Sequence, residues 1–126
     1  MKKSTDLSKT EWSIMKICWE KGQASARVIY EESLKEKKRG YQTVKTMLDR
    51  MVKKRYLDRE KFGPIWLYKP VVSHAKAVAS EVDSFVSTVL DNRTAPIFAH
   101  LFEKETISSE EIQSLKKLIE DYEETS

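Results

Sequence analysis

The sequence predicts a mainly helical, α+β fold, and three observations carry that prediction. Residues 40–55 read as a short amphipathic helix. Val44, Met47, Leu48 and Met51 recur at helical spacing as one apolar stripe, while Gln42, Thr43, Thr46, Asp49, Arg50 and Lys53 fall opposite, with Lys45 at the edge. Directly after it, residues 57–61 and 65–69 read as two strands around the turn-forming break Phe62-Gly63-Pro64. The charge is also split: residues 1–70 hold 18 Lys/Arg against 9 Asp/Glu, a balance of +9, and residues 71–126 hold 5 against 11, a balance of −6. Together these describe a winged helix-turn-helix over residues 1–70, followed by a three-helix dimerisation arm over 71–126.

Local signals place each element. Residues 1–6 read as a frayed basic tail. Ser8 and Glu11 fit a capping box, and Leu7 with Trp12 fit the hydrophobic staple around it, so a first helix starts there. Trp12, Ile14, Met15, Cys18 and Trp19 make its buried stripe, and Gly22 ends it. Ser25 caps a second helix with Val28, Ile29 and Leu34 inward. Residues 35–39 are a charged turn, and Gly40 opens the third helix. In the return strand Ile65, Leu67 and Lys69 point one way and Trp66 and Tyr68 the other. Trp66 is expected in the core between hairpin and helix, in preference to a stacking surface for a ligand.

Pro70 closes the hairpin. Residues 73–90 form a long amphipathic helix with Val78, Val82, Phe85, Val86 and Val89 on one side, and 91–94 turn. Pro96 suits the first turn of a short helix through Phe102. Ser108 and Glu111 repeat the capping box, with Ile107 and Ile112 as its staple. The last helix runs to Tyr122 with Ile112, Leu115, Leu118 and Ile119 inward. There is no internal repeat and no low-complexity tract.

The outer face of the third helix carries side chains that hydrogen-bond base edges and phosphates, as a reading helix in the DNA major groove requires. Gln42, Thr43, Lys45, Thr46 and Arg50 are its candidate contacts. Lys53 and Lys54 at its end and Lys61 near the hairpin tip are candidates for phosphates. A basic first part suits a polyanion, and an acidic second part would be repelled by one. An ordinary surface helix and a plain hairpin are the competing structural readings. A winged-helix interaction module for an acidic protein partner is the competing function.

The arm totals roughly fifty residues, too few to supply a sufficient core alone. A second copy is the economical cover, with Val78, Val82, Phe85, Val89, Ile112, Leu115, Leu118 and Ile119 as candidate dimer contacts; a helical cap on the winged domain of the same chain is the competing reading. A homodimer would present two reading helices to a pseudo-palindromic duplex operator.

Other chemistries find no footing in the sequence. His74 and His100 are the only histidines and lie far apart, and Cys18 sits on an apolar face, so no metal-ligand cluster is expected. No glycine-rich phosphate loop and no nucleophile spacing is present, so neither an enzyme nor a cofactor is expected. No apolar run approaches 18 residues and no signal-peptide core is found, which predicts a cytoplasmic protein, neither membrane-spanning nor secreted. One cysteine excludes an internal disulfide framework and fits a reducing compartment.

An ordered set of motifs resembles the BlaI/MecI group of penicillinase and methicillin-resistance repressors, with its copper-responsive CopY branch. The set comprises Leu7-Ser8-x-x-Glu11-Trp12-x-x-Met15, Ala24-Ser25-Ala26, Thr43-Val44-Lys45-Thr46 with Leu48 and Arg50, Lys53-Lys54-x-x-Leu57, and Trp66 with Tyr68. Near the end, Phe102-Glu103-Lys104-Glu105 and Ile107-Ser108-x-x-Glu111-Ile112-x-x-Leu115 are similar to the family's final segment. The resemblance spans nearly the whole chain. It implies a dimeric winged-helix repressor whose C-terminal helices form the dimer. It also implies switching by proteolysis in that arm, by a protease linked to a membrane sensor. The corresponding bond lies near His100-Leu101, where the Asn-Phe pair typical of the site is absent, so another signal stays open. The Cys-x-Cys metal motif of the copper branch is also absent.

Overall fold

Capping residues set the first helices. In the computed structural model, which describes residues 7–125, α1 (Lys9–Lys21) begins at Ser8. Ser8 Oγ accepts from Glu11 N–H at 3.2 Å, and Ser8 N–H donates to Glu11 Oε1 at 2.9 Å. Both halves of the expected box are therefore made, which satisfies two of the backbone donors a helix start leaves open. Leu7 is buried and Trp12 packs against the core, as the staple requires. Gly22 ends α1 at φ 84°, its N–H on Cys18 O at 2.9 Å. The tail expected over residues 1–6 lies outside the described residues.

A two-residue strand that the sequence reading did not anticipate, β1 (Ala24–Ser25), follows. Ser25 then caps α2 (Ala26–Ser33), its Oγ accepting from Val28 N–H at 3.3 Å. Next come α3 (Tyr41–Lys53) and the hairpin of β2 (Leu57–Phe62) and β3 (Ile65–Pro70). The sheet is antiparallel in the order β1-β3-β2. Phe62 pairs with Ile65, which leaves Gly63-Pro64 as a two-residue turn. Gly63 stands at φ 62°, and the following proline is held at negative φ, the sign pattern of a type II′ hairpin turn. Three helices, a short strand and a hairpin make the winged helix-turn-helix.

The core gathers Ile14, Met15 and Cys18 of α1, Ile29 of α2, the whole stripe Val44, Met47, Leu48 and Met51 of α3, and Leu57 and Tyr68 of the sheet. Two expected α2 contacts fail. Val28 is 42% exposed, because only the Ala26, Ile29 and Ser33 face of this eight-residue helix reaches the core. Leu34 is exposed because it is the C-cap, past the last helical residue. Trp66 is also corrected: it is 39% exposed, whereas Tyr68 on the same strand face is buried. Trp66 sits two residues nearer the hairpin tip, where cations rather than helices cover its ring. Arg59 Cζ lies 4.8 Å and Lys61 Nζ 5.8 Å from the ring centroid. Trp12 and Trp19 are half-buried at the core's edge, 5.7 Å apart, with Trp19 Nε1–H donating to Val72 O at 2.9 Å.

The rest is helical: α4 (His74–Thr88), α5 (Ala95–Glu103) and α6 (Ser109–Thr125). Pro96 stands in the first turn of α5. The second capping box is made too, with Glu111 N–H on Ser108 Oγ at 3.2 Å and Ser108 N–H on Glu111 Oε1 at 3.3 Å. The chain forms two compact units that divide between Glu81 and Val82, inside α4. The core of the first therefore runs past the hairpin to take in Ala77. Among the described residues of the second, no side chain is buried. Ile112 and Leu115 are half-buried as expected, but Leu118 and Ile119 are exposed, since nothing described in the same chain covers the far half of α6.

Candidate nucleic-acid interface

The dry back of α3 fixes what its front presents. With Val44, Met47, Leu48 and Met51 anchored in the core, Gln42, Thr43, Thr46, Arg50 and Lys53 are exposed. Gln42, Thr43, Thr46 and Arg50, with Met47 beneath them and Ser8 and Thr10 from the start of α1, line an open groove of about 510 Å³. Gln42 Nε2 lies 3.5 Å from Thr46 Oγ1, one turn on, at the outer limit of a hydrogen bond. Both side chains therefore remain free to meet a new partner. The groove offers hydroxyl, amide and guanidinium groups side by side, the set that reads base edges and phosphates.

Glu11 steadies the base of this face. It is a carboxylate only 2% exposed, and its Oε1 accepts from both Ser8 N–H and Lys54 Nζ, the latter at 2.8 Å. Among the described residues its Oε2 accepts no hydrogen bond, and it faces Arg50 Nη1 at 4.0 Å. Burial pushes the Glu11 carboxyl up, but the hydrogen bonds from Lys54 and Ser8 and the charges of Lys54 and Arg50 outweigh it. The group is held below the ordinary carboxylate range. Lys54, expected on phosphate, is thus turned toward Glu11, whereas Lys53 faces solvent. The capping role of Glu11 was legible in the sequence; its ion pair with Lys54, made across more than forty residues, was not.

A second network ties α3 to the hairpin. Asp49 Oδ1 accepts from Tyr68 O–H at 2.8 Å and from Arg59 Nη1 at 3.0 Å, and Oδ2 takes Lys45 Nζ at 2.9 Å. Burial raises the Asp49 carboxyl, but hydrogen bonds from Lys45 and Tyr68 and the charges of Lys45 and Arg59 bring it below its usual value. The hydrogen bond to Asp49 and a further one to Tyr68 push the Lys45 ammonium up. Lys45 therefore does not line the Gln42–Arg50 groove but is held beside it by Asp49, one turn further along α3. The Lys45/Asp49 spacing of four was a visible signal. Arg59 and Tyr68 depended on how the hairpin packs, and nothing local announced them. Lys61 lies on the hairpin beside Trp66.

The arm carries the other candidates. Val78, Val82, Phe85, Val89, Leu118 and Ile119 are exposed, and Leu115 joins Phe98, Leu101 and Ile107 around an apolar hollow of about 270 Å³ between α5 and α6. His100 and Leu101 lie inside α5, where their carbonyls accept from Lys104 N–H at 3.1 Å and Thr106 N–H at 3.2 Å. Burial pushes the Cys18 thiol up to about 12, which makes it unreactive. Among the described residues no three His, Cys, Asp or Glu side chains gather as metal ligands. No described helix is long and apolar enough to cross a membrane.

Comparison with known proteins agrees with this geometry. Residues 7–121 match the family model of the penicillinase repressor. The chain is 30% identical over 117 residues to the methicillin resistance regulatory protein MecI of Staphylococcus aureus (strain N315), covering 93% of this chain and 95% of that one. It is 25% identical over 122 residues to the penicillinase repressor of Bacillus licheniformis, covering 97% and 95%. Its structure is similar to the solution structure of the DNA-binding domain of the repressor BlaI, with a TM-score of 0.53 and 29% identity. That match covers 60% of this chain and 93% of the other.

Proposed function

The chain belongs to the penicillinase repressor family of DNA-binding transcriptional repressors, and from that premise we propose that it acts in the cytoplasm as a homodimer on a pseudo-palindromic operator. The observation that carries the DNA reading is α3: a helix pinned by four buried side chains, with Gln42, Thr43, Thr46 and Arg50 exposed along one groove. Thr46 and Lys45 are the proposed base-reading residues. Gln42, Thr43 and Arg50 support them, and Lys53 and Lys61 add charge toward the backbone, while Lys54 is engaged by Glu11. The fold supports the reading by placing the basic hairpin beside the same helix through Asp49.

Dimerisation rests on the arm. Among the described residues, Val82, Phe85, Val89, Leu118 and Ile119 of the arm are exposed, and a second copy would cover them by symmetry. Val78, Val82, Phe85, Val89, Ile112, Leu115, Leu118 and Ile119 are the proposed contacts. Release from DNA is proposed to follow damage to this arm, with cleavage near His100-Leu101 by a sensor-linked protease as the route. Titration against DNA upstream of the chain's own gene at several salt concentrations tests the function. If each dimer neutralises on the order of 6–10 phosphates, the log–log slope of affinity against salt should be about −5 to −9. Sedimentation should give the mass of two chains on one duplex. Binding that ignores salt, or shows no preference among duplexes, would turn the reading toward an interaction module for an acidic protein.

A further inference from the structure

Asp49 is the only acidic side chain in α3, and it stands on the polar side of the helix, opposite the buried stripe, which the proposed function turns toward DNA. Lys45, Arg50 and Lys53 share its helix, and Arg59, Lys61 and Lys69 lie on the hairpin beside it. A negative charge there repels phosphates, so DNA affinity alone does not account for it. The ion pair with Arg59 adds little stability, because the side chains of Asp49 and Arg59 are 37% and 40% exposed. What distinguishes Asp49 is its connectivity. One oxygen holds Tyr68 and Arg59, the other holds Lys45, all within 3.0 Å. Tyr68 is itself fixed in the core at 1% exposure, so its hydroxyl is a rigid post on which the carboxylate is set.

We infer that Asp49 is a specificity-determining positioning residue of the operator reading proposed above. It aims Lys45 and Arg59 and neutralises them toward DNA of the wrong sequence. The two effects separate by ligand. Any duplex feels the carboxylate's charge, since non-specific binding is almost wholly phosphate attraction. Only the operator needs Lys45 held at a fixed place against a base, because that contact exists only there. Removing the charge therefore helps random DNA in full. On the operator, that gain is offset by a Lys45 no longer aimed.

The experiment uses the full chain, a duplex selected by the wild-type protein from a random-sequence pool, and a scrambled duplex of equal length and composition. Asp49→Asn should raise affinity for the scrambled duplex roughly 3–10-fold and steepen its salt slope by about 1–2, as one or two freed cations reach phosphates. The ratio of selected to scrambled affinity should fall about tenfold or more. Tyr68→Phe keeps the buried ring and the Asp49 charge but removes the post. It should lower the ratio while leaving affinity for the scrambled duplex and its salt slope unchanged. A ratio unaltered in both variants overturns the role of Asp49, as does a parallel loss on both duplexes. If the wild-type protein selects no duplex above scrambled DNA, the operator reading itself fails; discrimination by the wild type that survives Asp49→Asn removes only this inference.

Discussion

Glu11 shows how one residue serves local and tertiary structure at once. As the third residue of α1 it closes the capping box, and as a buried carboxylate it pairs with Lys54 and faces Arg50 of α3. Its folded pKa lies below 4.5, so its contribution to stability is complete above the unfolded value and is lost as pH falls through the lower folded value. Glu11→Gln keeps the shape and an acceptor but drops the charge, and should cost about 1–3 kcal/mol at neutral pH. Urea melts between about pH 5 and pH 2 should show a flatter acid limb in the variant. Superimposable limbs would place the acid sensitivity elsewhere. Thr46 lies on the groove side with no tie stronger than the 3.5 Å approach of Gln42. Thr46→Ala should therefore leave stability alone and cost roughly 1–3 kcal/mol on the operator if its contact is to a base. Equal losses on random DNA would make it a phosphate contact.

At the scale of elements, the hairpin depends on one backbone conformation. Gly63 sits at φ 62°, and a Cβ built there meets nothing within 4 Å. The cost of a side chain is then conformational only. Gly63→Ala should lower stability by about 1–2 kcal/mol, and Gly63→Asn by less, because asparagine tolerates left-handed backbone. Chemical melts with unchanged slopes would check this, and an Ala variant as stable as the Asn variant would refute it. Elements of this kind were legible because their signals are local: both capping boxes, the stripe of α3, and the turn residues of the hairpin lie within a few residues of what they specify. What escaped the sequence was tertiary. The strand β1 forms only because β3 arrives beside it, with Ala24 opposite Tyr68. Trp66 fits the strand's alternation but lies beyond the reach of the helices. Of the candidate face, α3 was legible, and the network that joins it to the hairpin was not.

For the molecule as a whole, the question is how a second unit with no buried side chain among its described residues controls a first unit that has a full core. The first unit keeps its core through Ala77, so a chain ending at residue 81 should fold, remain monomeric, and hold the operator about 10²–10⁴ more weakly for want of the linked second half-site. In the full chain, Phe85→Asp or Leu118→Asp places a charge in an exposed apolar face and should shift mass toward monomer in sedimentation, with unchanged helix content. A truncated chain that stayed dimeric would put the interface in the wrong unit. Cleavage at His100-Leu101 faces a further obstacle, since a protease needs extended backbone and this bond lies within α5 with its carbonyls paired. Local unfolding of α5 must come first, and α5 has no buried residue to oppose it. The cut would then separate α6 from α4 and open the hollow that Leu101 and Leu115 share. A cleavable sequence introduced at 100–101 tests the order of events. After cutting, dimer mass should fall and operator binding with it, while a nicked protein that stays dimeric on its operator would show that α5 is not the switch.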